Sequence, residues 1–279
     1  MPEIKVTLAG ELNFSGIGVH SGKRADLCLK PSYSGEITFC LEHRDRLTIH
    51  PDPKNVEAAH SSIIGKEGYR VHTIEHLMAA LFAFRIGSVD VVLTGDEIPI
   101  MDGSALPFAA AIQECGIKPL DSEIKFMKIR KPFAVQENDA SVSAEPDDLF
   151  RISYAINYDH PAIGIQSLNL VVDRDSFLKE IAPARTFGFL KDVSALRDHG
   201  FALGGSLSNA LVLDENKLIN GPLRYENEFV RHKMLDFIGD LSLLGHPLKG
   251  HFHAHKAGHK AHLKALWFLL DNPAYFSFE

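Results

Sequence analysis

One helical run constrains this chain more than any other feature. Glu226 to Leu244 carries Phe229, Met234, Leu235, Ile238, Leu241 and Leu244 at helical spacing and stops at Gly245, which predicts a largely buried helix. Inside it lies His232-Lys-Met-Leu-Asp236-Phe-Ile-Gly-Asp240. Residues four apart lie on one helix face, one turn from each other, so an imidazole and two carboxylates form a stripe. A His–Asp hydrogen bond on a solvated face would account for the spacing on a polar helix, but this helix is apolar. Charged groups on a buried helix need partners or a metal, so the fold has to bring other polar residues to it.

Thr73-Ile-Glu75-His76 opens a second apolar helical stretch, Thr73 to Phe84, with Thr73 as the expected N-cap and Arg85 and Gly87 marking its end. Taken alone, a His in an apolar helix reads as a satisfied core side chain, and Glu is common in a first turn. With His232 and Asp236, His76 completes a set of two His and one Asp. That set leaves a tetrahedral zinc one open position, the arrangement of catalytic sites; the ligand types suit zinc without excluding iron. The HExxH spacing of common zinc proteases is absent.

Other constellations carry less weight. Gly258-His259 opens a helix expected over Lys256 to Leu270, and a protonated His259 could serve as a general acid if an acidic neighbour such as Asp240 raised its pKa. Thr186 in Ala184-Arg-Thr-Phe-Gly188 could donate to a developing oxyanion, although a Thr in an ordinary turn is the simpler reading. Glu97 to Ser104 reads as a turn and helix cap, and Leu203-Gly-Gly-Ser-Leu207 as a short flexible loop. The tract from Gly250 to His262, with His251, His253, His255, His259 and His262, reads as a loose metal-binding segment or a basic, partly solvated loop.

Residues from about 4 to 50 alternate between turns, as antiparallel strands do; a helix follows at 73–84, a β-rich run at 88–93 and a second helix at 106–114. The polar stretch 118–125 is the expected linker. The second half repeats the order: strands over 127–172, a helical or irregular segment over 175–198, then the helices at 226–244 and 256–270. Strands then helices, twice, predicts an α+β fold of two sandwich domains, 1–123 and 126–279, with a ligand cleft between them. The net charge of −7 argues against a general binder of nucleic acid or anionic membrane. Three widely spaced cysteines without a CxxC suggest reduced thiols. No stretch has the length of a membrane span and the N-terminus lacks a signal-peptide pattern, so a cytoplasmic location is expected.

Taken in order, the motifs Gly16-Ile-Gly-Val-His20-Ser-Gly22, Thr73-Ile-Glu75-His76, Pro99-Ile-Met-Asp-Gly-Ser104, Ala184-Arg-Thr186-Phe-Gly188-Phe, Leu203-Gly-Gly-Ser-Leu-Ser-Asn209, Arg231-His232-Lys233-Met-Leu-Asp236-Phe-Ile-Gly-Asp240 and Gly258-His259 span nearly the whole chain. This set resembles the UDP-3-O-acyl-N-acetylglucosamine deacetylases, zinc amidases of lipid A synthesis. The resemblance implies two similar two-layer α+β sandwiches with the site between them. It implies one catalytic zinc on His76, His232 and Asp236, Glu75 as general base, and His259 held protonated near Asp240. It gives Thr186 and Lys233 roles in stabilising the intermediate, and places Phe189, Asp192, Lys256 and His20 near the substrate. It further implies a UDP-sugar substrate with its acyl chain in a hydrophobic passage, and we expect a monomer. An Asn is common in the family where this chain has His262, and His251, His253 and His255 are unusual; they could take a second metal, or none. A zinc hydrolase cutting another acetylated substrate, and a non-catalytic metal store, are the competing expectations.

Overall fold

The alternating pattern of the first residues folds as strands with one buried face. The computed structural model describes residues 4–42, 47–49 and 51–279. Five strands form one sheet in the spatial order Leu12–Ile17, Arg24–Pro31, Val89–Leu93, Ile37–Leu41, Leu47–Ile49. Its pairings are antiparallel except that of Ile37–Leu41 with Val89–Leu93. Along Arg24–Pro31 the alternation is plain: Ala25, Leu27 and Leu29 point into the core and their neighbours do not. A smaller sheet of Val56–Ala58, Ser62–Lys66 and Tyr69–Val71 leads into the helix Glu75–Ala83. That helix is buried from Glu75 to Leu81, as a helix that is apolar on all sides has to be. The helix Leu106–Cys115 follows and ends at Gly116, whose φ of 79° suits a residue without a Cβ.

Two local expectations change. Thr73 does not cap the helix by its side chain: it precedes the N-cap residue Ile74, adopts φ 60°, and gives its hydroxyl to Glu97 at 2.9 Å. The stretch expected as a linker is mostly a strand, Ile117–Glu123, paired antiparallel with Ile4–Leu8. Its isolated polarity concealed a partner more than a hundred residues away.

Among the strands from Met127 onward, Phe187–Phe189 and Leu211–Leu213 form a separate pair and the other seven build one sheet. Leu248–His255 lies at its centre, antiparallel to Ala140–Glu145 and parallel to Phe150–Tyr158. The His-rich tract is therefore a core strand up to His255 and not a loop. Phe252 and Ala254 are buried while His251, His253 and His255 face the other way, so the period-two pattern was present but masked by the histidines. The helices Glu228–Leu241 and His259–Asp271 cover the inner side, where Phe237 packs edge-on against Tyr154 and Phe252. The fold is thus α+β, with sheets packed against helices. Among the described residues no helix is long and apolar enough to cross a membrane.

Candidate active site

The helix Glu228–Leu241 meets the helix Glu75–Ala83 at Gly239. A Cβ there would lie 2.2 Å from the Glu75 carbonyl oxygen, so only glycine allows this approach. The close crossing sets Glu75 and His76 against the stripe of His232, Asp236 and Asp240, all buried. His232 Nε2 lies 3.3 Å and His76 Nε2 3.7 Å from the same Asp236 oxygen, Oδ1. Metal–ligand bonds of about 2.0–2.2 Å in a tetrahedral site separate the ligand atoms by about 3.4 Å, close to these spacings.

The protonation states point the same way. His232 Nδ1–H donates to the Ala184 carbonyl at 3.2 Å, which leaves the lone pair of Nε2 facing a carboxylate oxygen. Burial lowers the pKa of His232; burial and then His232 lower that of His76 to about 3. Burial opposes ionisation of Asp236, but His232 and Lys233 outweigh it and hold the carboxyl well below the usual carboxylate range. Lys233 Nζ bonds the other oxygen, Oδ2, at 2.8 Å. Two imidazoles of lowered basicity and a carboxylate converge here, and the buried Nδ1 of His76 has no hydrogen-bond partner; a cation held by the three facing atoms would offset the cost of burying the carboxylate. The three residues fit a metal ion.

Beside this trio stands a second buried network. Burial pushes the Glu75 carboxyl up to about 8, with Asp236 and Asp240 adding to the shift and His259 opposing it. His259 Nε2 lies 3.7 Å from Glu75 Oε1, and its Nδ1 donates to Asp240 Oδ2 at 2.7 Å. Burial alone would lower the His259 pKa; the Asp240 charge and hydrogen bond override it and raise it to about 9. His259 is therefore an imidazolium at neutral pH. Asp240 also receives Nδ1–H of His262 at 2.7 Å and a short hydrogen bond from the Ser62 hydroxyl. His262 Nε2 lies 3.0 Å from the Tyr154 hydroxyl, so this His is fully partnered inside the core.

The two groups open onto a cavity of about 360 Å³ whose lining includes Glu75, His76, Thr186, His232, Lys233, Asp236 and His259. His20 and Phe189 line it too; Asp192 and Lys256 do not. Asp192 is exposed on the helix Leu190–Asp198, and Lys256 pairs with Asp139 at 3.2 Å. The lining also includes the apolar side chains of Phe187, Leu190, Val193, Leu196, Leu207 and Val212.

Several supporting residues carry no signal in the sequence. Glu97, assigned only to a turn, is a buried carboxylate that accepts from the backbone N–H of His20 at 2.9 Å and of Ser21 at 2.8 Å as well as from Thr73. It clamps the loop bearing His20 to the entry of the Glu75 helix. Gly204, in the segment expected to be flexible, packs so tightly that a Cβ would lie 2.2 Å from the Gly18 carbonyl oxygen. Glu228, fully buried, accepts from Arg185 Nε at 2.8 Å, from the Arg185 backbone N–H at 3.0 Å and from the Arg224 backbone N–H. It thereby fixes the segment that carries Thr186. Replacing Glu228 with Gln is expected to lower stability by about 1–3 kcal/mol, because buried donors lose their acceptor; chemical denaturation reads this, and an unchanged midpoint would contradict it.

Comparison with known proteins decides what this geometry belongs to. The sequence pattern of the UDP-3-O-acyl N-acetylglycosamine deacetylase family matches residues 5–271. The chain belongs to that family. Its relatives include proteins named UDP-3-O-acyl-N-acetylglucosamine deacetylase from several bacteria. That of Thermodesulfovibrio yellowstonii is 43% identical over 270 residues, 96% of this chain and 92% of the relative. That of Acidithiobacillus ferrooxidans is 47% identical over 261 residues, 91% and 85% of the two chains. That of Syntrophotalea carbinolica is 46% identical over 257 residues, 91% and 83%. The family is one of metal-dependent deacetylases, and the buried His76, His232 and Asp236 give this member a candidate metal-binding group.

Proposed function

We propose that this chain hydrolyses the N-acetyl amide of UDP-3-O-acyl-N-acetylglucosamine, yielding acetate and UDP-3-O-acyl-glucosamine for lipid A synthesis. The observation that carries this reading is the convergence of His76, His232 and Asp236 with Glu75 and His259 on one cavity wall. His76, His232 and Asp236 are the ligands of a single catalytic zinc. Such an ion, when bound, polarises the amide carbonyl and acidifies water.

The rest of the chemistry falls to the side chains. In its carboxylate form, which the His259 charge favours against burial, Glu75 takes a proton from the attacking water as the water oxygen bonds to the carbonyl carbon. Thr186 donates a hydrogen bond to the developing oxyanion, and Lys233 adds positive charge beside it while holding Asp236. His259, charged through Asp240, gives its proton to the sugar nitrogen as the C–N bond breaks. His20 and Phe189 contact the nucleotide-sugar, and Asp192 and Lys256 belong at its outer edge, beyond the cavity lining. The apolar lining residues from Phe187 to Val212 take the acyl chain. In this reading the units are 1–123, which supplies His20, Glu75 and His76, and 126–279, which supplies the other groups, acting as a monomer in the cytoplasm.

The test is metal analysis together with acetate release from UDP-3-O-acyl-N-acetylglucosamine and from generic acetylated amines. One tightly held zinc, selective turnover of the nucleotide sugar, and loss of zinc in His232→Ala are expected. Turnover of generic amines alone would reject the substrate, and full zinc content in His232→Ala would reject the ligand set.

The Asp240–His259 pair sets the alkaline side of the activity. A His whose pKa is raised in the folded chain stabilises the fold fully below its unfolded value of 6.5 and loses that contribution as pH rises through the folded value. Activity that needs the imidazolium should therefore fall as pH passes about 9. In Asp240→Asn the largest counter-charge to burial is lost while Glu75 and Asp236 remain, and the fall should move to lower pH. A pH profile of kcat/KM checks this; an unmoved alkaline limb would remove Asp240 from the role.

A further inference from the structure

The reaction uses none of the outward-facing histidines of Leu248–His255. They stand on the face of the seven-stranded sheet opposite the one that packs on Phe237 of the helix bearing His232 and Asp236. The strand register sets Glu145 directly across from His251 and Ser143 across from His253. Glu145 Oε1 lies 3.5 Å from His251 Nδ1 and 3.4 Å from His253 Nε2. The two rings are 3.9 Å apart between centroids at 36°. One donor atom from each residue falls within 4.8 Å of the other two. Tetrahedral bonds of about 2.0–2.2 Å call for donor separations of about 3.4 Å, which both carboxylate–imidazole spacings already have.

The surroundings of His251 hold its ring in place. Its second nitrogen, Nε2, lies 2.8 Å from Ser153 Oγ, and that oxygen also accepts from Asn169 Nδ2 at 2.6 Å. In the tautomer that gives Nε2–H to the remaining lone pair of that hydroxyl, His251 presents the lone pair of Nδ1 toward Glu145. Partners of this kind on the far ring nitrogen are what orient metal-binding imidazoles. His255 lies on the same face but outside this group.

We propose that Glu145, His251 and His253 form a second metal site, open to solvent, that takes a divalent ion of the zinc class with water completing its coordination. It is distinct from His76–His232–Asp236 and lies on the other side of the sheet. Borderline ions that favour imidazole, such as zinc, nickel or copper(II), suit it, whereas magnesium and calcium, which prefer all-oxygen shells, do not.

Equilibrium dialysis of the full chain against Zn²⁺, with metal analysis, tests the site. The unaltered chain should bind two ions, one tightly and one more weakly. His253→Ala and, separately, Glu145→Gln should each weaken only the second ion at least tenfold, with melting temperature and deacetylation unchanged. His232→Ala should lose only the first. Saturation of the unaltered chain at one ion, or a second ion that persists in both His253→Ala and Glu145→Gln, would overturn the proposal. Binding of Mg²⁺ as strongly as Zn²⁺ at this position would overturn its ligand chemistry.

Discussion

Glu75→Gln should cost on the order of 10²–10⁴ in the rate of deacetylation, the usual contribution of a positioned general base, while the chain keeps its metal. The substitution preserves shape, and the remaining amide oxygen can still accept the Ser62 backbone N–H that now bonds Oε2 at 3.2 Å. Glu75 groups with Asp236 and His259 and is not among the proposed ligands His76, His232 and Asp236, so metal content should equal that of the unaltered chain. Burial already disfavours the Glu75 carboxylate, so a neutral amide in its place should leave the melting temperature equal or higher. This combination separates a lost proton acceptor from a damaged fold. Metal analysis, a melting curve and single-turnover acetate release make the test. Full activity in the variant would exclude Glu75 as the base, and loss of metal would make it a ligand. His259→Ala should behave alike in metal content and lose rate for a different reason, since the leaving nitrogen then lacks its proton donor.

Gly239→Ala should be severely damaging for a single added methyl. The new Cβ would lie 2.2 Å from the Glu75 carbonyl oxygen, 2.8 Å from its carbon and 2.9 Å from its Cα. All three are backbone atoms, so no rotamer change relieves the contact and the two helices have to part. Overpacking of this kind costs about 1–3 kcal/mol or more. The displacement also moves His76 away from Asp236 and His232, whose side chains are on the other helix. We expect a lower melting temperature together with at least a tenfold loss of metal affinity. Loss of stability with unchanged metal affinity would mean that the helix crossing does not set the ligand spacing.

These two positions show how differently the sequence and the structure speak. Glu75 was legible because it adjoins His76 at the mouth of an apolar helix. Gly239 was not, because a glycine inside a helix reads locally only as a weak helix former, and its purpose lies in another helix. The same division runs through the site. The helical period of the run from Phe229 to Leu244 placed His232, Asp236 and Asp240 on one stripe, since local geometry alone determines which residues share a face. Chain-wide motif order indicated the family and its chemistry. What no local pattern could convey is who meets whom across long loops. Glu97 reads as a turn residue yet clamps two loops; Ser62 and Tyr154 look ordinary yet complete the shell around Asp240 and His262. His262, in a tract rich in histidine, becomes intelligible only as a buried imidazole with both nitrogens engaged. The stretch 118–125 looked like a linker because its strand partner is at the other end of the unit. The His-rich tract looked like a loop because its outward histidines hid an inward-facing alternation. By itself, then, the sequence determined which faces are apolar and which residue types can bind metal and move protons. Tertiary structure decided which of them converge, because distances, burial and shifted pKa values arise from contacts between segments that the chain order keeps apart.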